Sequence, residues 1–232
     1  MSVSVAIYDP GGWSDSFCDL MATVTREKIL LTDAVFWNKE KFPNLTMRQV
    51  KDDIEKLNNH FHFDYHLCET NNQGHMVISD LRKEYGIPVI GITTSGELKR
   101  KGTIQRGTSL DKDKTVPWVM KLIEDGIIEL PKRMTPGLKE GMEQIKNYGV
   151  SKSGKYQALS GHDDFVSCLV ILVHWAKRHM LKGMARKLIG VGGGDPGMES
   201  QKSAYDIALE SMRNRFEKAG MSPDNFDIKF PD

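Results

Sequence analysis

The sequence predicts an α/β fold: a mixed five-stranded sheet, three antiparallel strands and then parallel ones, with helices on both faces. Three observations carry this. Three β-forming runs open the chain, and only Arg26 and Glu27 separate the second from the third, a spacing that makes a hairpin. The fourth and fifth β runs each follow a stretch with helical spacing, and strands joined through helices run parallel. From Val116 onward helical patterns dominate and supply the material that covers a sheet.

Ser2 to Asp9 (SVSVAIYD) is β-branched and ends at the turn PGGWSD. Ser16 to Thr25 and Lys28 to Trp37 form the hairpin. Thr46 to His60 sets Met47, Val50, Ile54 and Leu57 on one helical face, with Thr46 as N-cap. Phe63 to Thr70 is the fourth strand, Asn71 to Tyr85 a helix ended by Gly86, and Ile87 to Thr93 a buried fifth strand. Thr94 to Lys114 turns basic and is predicted to be a loop. Val116 to Asp125 is a helix, Ile127 to Leu130 a short extended piece, Pro136 to Lys146 a helix and Tyr148 to Leu159 a short hairpin. The helix opening near Asp163 is apolar on nearly every side, so it must be buried. VGGGDPG (Val191 to Gly197) is a flexible break, followed by an amphipathic helix from Ser200 to Lys218 and a tail. The expected organisation is one domain over 1–182 and a break, helix and tail over 183–232.

With 232 residues and 39% apolar content, the chain can bury one sizeable core. The net charge of +1 means that any basic surface is local. Cys18, Cys68 and Cys168 stand far apart in apolar runs without metal-ligand spacing, which predicts buried thiols in a reducing compartment. MSVSVAIYDP has no signal-peptide pattern, and the longest apolar run is too short to span a bilayer. A soluble intracellular protein with no membrane partner is expected.

The acids are more informative. Val3, Val5, Ile7 and Asp9 share one face of the first strand, and Glu69 is in phase with Phe63, Tyr65 and Leu67 on the fourth. If these strands are parallel neighbours, Asp9 and Glu69 project together at their carboxyl ends, where ligands gather in open α/β sheets. The buried helix brings Asp163 and Asp164 to the same place. Converging carboxylates repel unless cations neutralise them, and oxygen-only ligands suit Mg²⁺ or Mn²⁺. Two such ions would clamp an in-line phosphoryl displacement. Plainer readings remain open. Asp9 could start the turn at Pro10; Ser160 could N-cap the helix with Asp163 as the acidic half of a capping box. His162 could orient, bind a metal or cap.

An Asp after the first strand, then CETNNQGH, GITTSG, KLIEDGIIELP and SGKYQALSGHDDFVSCLVIL, resembles the nuclease domain of the large terminase subunit of tailed double-stranded DNA viruses, over Val3 to Ala176. The resemblance implies a ribonuclease H-like fold, shared with Holliday junction resolvases. It implies an endonuclease that cuts concatemeric viral DNA during packaging with two Mg²⁺ or Mn²⁺ ions. Double-stranded DNA, an ATPase motor domain, a portal and a small terminase subunit would be its partners, and the host cytoplasm its location. Asp9 matches the first-strand aspartate of that family, Glu69 the fourth-strand acid, and Asp163 or Asp164 the acid on the last helix, with Asp164 favoured. Asp15 matches a frequent acid in the turn after the first strand, in a supporting role. No G-x-x-x-x-G-K-[ST] occurs, so the motor is expected on a separate or missing segment.

Lys99, Arg100, Lys101 and Arg106, with Lys112 and Lys114 after them, are candidate phosphate contacts, which position a duplex without reading sequence. Lys152 and Lys155 could join them. The plainer reading is a solvated loop. Three rivals stay open: an actin-like or sugar-kinase ATPase, suggested by YDPGG; a catalytically silent DNA-binding or assembly module; and a junction resolvase.

Overall fold

The computed structural model describes residues 2–11, 16–39, 41–94 and 108–180. Strand β1 (Ser2–Asp9) runs antiparallel to β2 (Phe17–Thr25), which returns through a tight turn into β3 (Ile29–Trp37). The turn closes by Thr25 N–H donating to the Lys28 carbonyl at 2.8 Å, while Thr25 Oγ1 accepts from the Glu27 and Lys28 amides. Helix α1 (Met47–Phe61) starts with a complete capping box between Thr46 and Gln49. It leads into β4 (Tyr65–Glu69), parallel to β1; α2 (Gly74–Lys83) then leads into β5 (Val89–Thr94), parallel to β4.

The five expected strands are all present, but they form the middle of a seven-stranded sheet, ordered β6-β5-β4-β1-β2-β3-β7. The edges are β6 (Thr108–Leu110), parallel to β5, and β7 (Ile128–Glu129), parallel to β3. This corrects the expectation of a loop through Lys114. Its last residues pair with Ile92 to Thr94 and then enter helix α3 (Lys112–Glu124), whose N-cap Asp111 accepts from the Lys114 amide. Lys112 and Lys114 therefore belong to a helix. After α4 (Pro136–Lys146), β8 (Tyr148–Val150) and β9 (Tyr156–Ala158) form the expected hairpin, and α5 (Asp164–His179) follows.

Helices cover both faces, as expected. Val3, Val5 and Ile7 pack with Leu67 against α3, α4 and α5; Ala6, Tyr8 and Cys68 pack on the other face against α1 and α2. Burial on both sides explains why β1 shows no clean polar alternation. Helix α5, buried over Asp164 to Val173, lies across β1, β2 and β4. All three cysteines are free and buried. Among the described residues, no helix is long and apolar enough to cross a membrane. The break, helix and tail expected over 183–232 lie outside the described residues.

Candidate active site

The pairing of β1 with β4 runs to Tyr8 opposite Cys68, so Asp9 and Glu69 come next, level on adjacent parallel strands. Their carboxyl groups lie close enough that each shifts the other's proton affinity. Asp9 Oδ1 also accepts the Gly11 amide at 3.0 Å, so this residue both starts the turn and reaches the site. Burial pushes both acids up, and Glu69 is raised further by the charge of Asp9.

Asp164 opens α5 and is buried beside Asp9. Its Oδ2 accepts a short hydrogen bond from Ser16 Oγ. Burial pushes its carboxyl up to about 7; the Ser16 bond opposes this and the Asp9 charge adds to it. His162 lies close enough for its charge to act on Asp164.

Asp163 differs from its neighbour. It occupies the N-cap position of α5 but makes no side-chain cap bond, which overturns the capping box with Ser160. Its Oδ2 instead accepts from Lys112 Nζ at 2.6 Å, and Lys112 also donates to Ser167 Oγ at 2.9 Å. Ser167 also acts on Asp9, lowering its proton affinity. Lys112, expected at the DNA surface, thus lies in the acid cluster, its side chain only 24% exposed. Lys114 is exposed and paired with Asp111 at 2.9 Å. Lys152 and Lys155 are exposed in the β8–β9 turn. That hairpin is tied to the start of α3 by the Tyr156 amide, which donates to Asp113 Oδ1 at 3.2 Å. Asp15, Lys99, Arg100, Lys101 and Arg106 lie outside the described residues.

Asn71 and Gly74 belong to the stretch CETNNQGH that the sequence singled out without giving them roles, and Ser167 and Ser16 were not singled out. Asn71 Nδ2 donates to Glu69 Oε1 at 2.9 Å, and Gly74 lets α2 begin against the backbone of Glu69, where a Cβ would lie 1.8 Å from the Glu69 carbonyl oxygen. The stretch ETNNQG carries the signal for both. Ser167, one turn after Asp163 and Asp164, was readable from helical spacing; Ser16 had no local signal.

The donor set offered by Asp9, Glu69 and Asp164 is all carboxylate oxygen, of the kind that holds hard divalent cations. Among the described residues, no three His, Cys, Asp or Glu side chains stand close enough together to hold one ion. Asp9 and Glu69 act on each other's proton affinity, while Asp164 is engaged by Ser16.

A mixed sheet covered on both faces, with acids at the carboxyl ends of its two central parallel strands and at the start of the buried helix, defines a ribonuclease H-like domain. The model of the terminase RNase H-like domain matches residues 6–174, and the chain belongs to that family. Among solved structures, the large terminase of a thermophilic bacteriophage superposes with a TM-score of 0.55 at 13% identity, covering 75% of this chain and 39% of that one. The large terminase nuclease of thermophilic phage G20c gives 0.48 at 17% identity, covering 73% and 80%. The large terminase nuclease domain of bacteriophage SPP1, solved with bound Mn, gives 0.44 at 14%, covering 77% and 87%. The chain thus spans well under half of the first of these three proteins, and at such identities the likeness is one of fold. A comparison with curated proteins gives no match.

Proposed function

We propose that this terminase nuclease domain is a divalent-metal-dependent DNA endonuclease that cuts concatemeric viral DNA during genome packaging. The observation that carries the reading is the level pairing of Asp9 and Glu69, with Asp164 buried beside them. Asp9 and Asp164 are buried and Glu69 half-buried, and burial raises the proton affinity of all three, as expected of carboxylates that a cation would otherwise neutralise. Asp9, which acts on both other acids, would hold two Mg²⁺ or Mn²⁺ ions together with Glu69 and Asp164. When bound, such ions activate a water as nucleophile and stabilise the leaving oxygen of a phosphodiester.

The chain itself aims the ligands. Asn71 fixes Glu69, the Gly11 amide fixes Asp9, and Ser16 holds Asp164. Lys114, Lys152 and Lys155, with Lys99, Arg100, Lys101 and Arg106, would neutralise phosphates and set the duplex without reading its sequence. An ATPase motor, a portal and a small terminase subunit would deliver the DNA.

The test is nicking of supercoiled plasmid with Mn²⁺, Mg²⁺ or EDTA, comparing the native chain with Asp9→Asn. Metal-dependent cutting that the variant loses is expected. Because no three acids converge on one ion among the described residues, a silent DNA-binding module is the second reading. A folded native chain that binds DNA and leaves the plasmid intact would favour it.

A further inference from the structure

One corner of the sheet is apolar yet open among the described residues. Tyr65 opens β4 and Ile90 lies near the start of β5; they are 38% and 39% exposed, while Leu67 and Ile92, the next residues along the same face, are fully buried. We propose that the apolar stripe Tyr205, Leu209, Met212 and Phe216 of this same chain docks on that corner, at the end of the sheet opposite Asp9 and Glu69. The inference is independent of the metal-dependent reading.

The pleat and the register define the corner. Residues two apart on a strand share a face, and Leu67 stands opposite Ile90. Tyr65, Leu67, Ile90 and Ile92 therefore lie on one side of the sheet, where Leu67 and Ile92 join the core under the helices. Pro88, two residues before Ile90, is exposed as well. Strand β5 is parallel to both its neighbours, β4 and β6. Parallel strands are normally covered on both faces, so an apolar side chain open to water on an inner parallel strand calls for a cover.

Helix α5 ends at this corner. The Trp175 ring lies 4.8 Å from that of Tyr65, His179 stacks on Trp175 at 5.3 Å, and Met180 packs on the same core. Residues 181–232 continue from that point. In their sequence Tyr205, Leu209, Met212 and Phe216 recur at i, i+4, i+7 and i+11, which is one side of a helix, with Glu210 and Asn214 on the opposite side. Residues 181–199 would span about 60 Å if extended, enough to return the stripe to the corner. Tethering decides between this segment and a separate molecule. A segment joined by a short linker acts at an effective concentration of about millimolar, so a small apolar face is filled from within the chain before a second copy or another partner reaches it.

The experiment is disulfide trapping in the full chain with oxidised glutathione; the three native cysteines are buried and set the background. Ile90→Cys is combined in turn with Leu209→Cys and Met212→Cys on the stripe, and with Glu210→Cys and Asn214→Cys on the opposite side. Tyr65→Cys is the second anchor if a thermal melt shows that Ile90→Cys has lost its fold. At least one stripe pair should close within a single chain about tenfold faster than either opposite-side pair. Equal rates on the two sides, or no closure at all, overturn the proposal. Cross-links that join two chains, at a rate that rises with protein concentration, give the corner to a second copy and overturn it too. Plasmid nicking plays no part in this readout, so its failure and that of the nuclease reading are separate results.

Discussion

Asn71 clamps Glu69 to the end of the neighbouring strand. Its Nδ2 lies 2.9 Å from Glu69 Oε1, 2.9 Å from the Thr94 carbonyl oxygen and 2.8 Å from Thr94 Oγ1. One amide thus fixes the acid of β4 against the last residue of β5. Groups that orient a ligand matter nearly as much as the ligand. Asn71→Ala should reduce metal-dependent nicking about 10–100-fold while the far-UV spectrum stays native. Unchanged nicking would mean that Glu69 needs no such clamp.

The raised proton affinity of Asp164 has a consequence for stability. Its folded-state value, about 7, lies above the ordinary 3.8, so the folded chain binds this proton more tightly than the unfolded chain. The stability it contributes is full below the ordinary value and is lost as pH rises through about 7. His66 and His174, lowered by burial from 6.5 to about 4, act oppositely as pH falls. The difference between native and Asp164→Asn isolates the carboxyl. In EDTA, the melting temperature of Asp164→Asn should rise relative to native between pH 5 and about pH 7.5. Parallel curves for the two proteins would contradict this.

Gly74 stands where no side chain fits. A Cβ there would meet the Glu69 carbonyl oxygen, which is backbone and has nowhere to move. Gly74→Ala should cost about 1–3 kcal/mol or more in urea unfolding and depress nicking beyond the loss of folded protein, because Glu69 must shift. A variant with native stability would show that α2 can start elsewhere.

Asp19 is the least satisfied acid of the sheet. It is fully buried, neither carboxyl oxygen has a hydrogen-bond partner among the described residues, and burial with the nearby Asp33 charge holds its proton affinity well up. It lies opposite Tyr8, on the face away from the candidate site. Asp19→Val should stabilise the chain by about 1–3 kcal/mol, read as a higher urea midpoint. A lower midpoint would reveal a partner for this carboxyl.

The central strands were readable because β-branched runs with short or helical connections leave few topologies. Strands β6 and β7, of three and two residues, are too short to show a period of two. Phase counting placed Asp9 and Glu69 correctly together, yet it wrongly added Phe63. The strand begins only at Tyr65, and Phe63 packs against the opposite core. The partner of Asp163 was beyond sequence reasoning. Lys112 is 51 residues away, at the end of a basic run that gives no sign of turning inward. The capping box was a sound local expectation, but the helix begins at Asp164, so Asp163 falls at the N-cap and not three residues into the helix.

The two edges of the sheet carry one more implication. Strand β6 is three residues long and β7 two, and the middle of β3 is stoppered by Gly137 at the start of α4, where a Cβ would lie 1.6 Å from the Ala34 carbonyl oxygen. Long unpaired edges recruit strands from other chains. Here both outermost strands are short and α4 shields the middle of β3, so among the described residues the sheet ends in short edges that give another strand little to pair with.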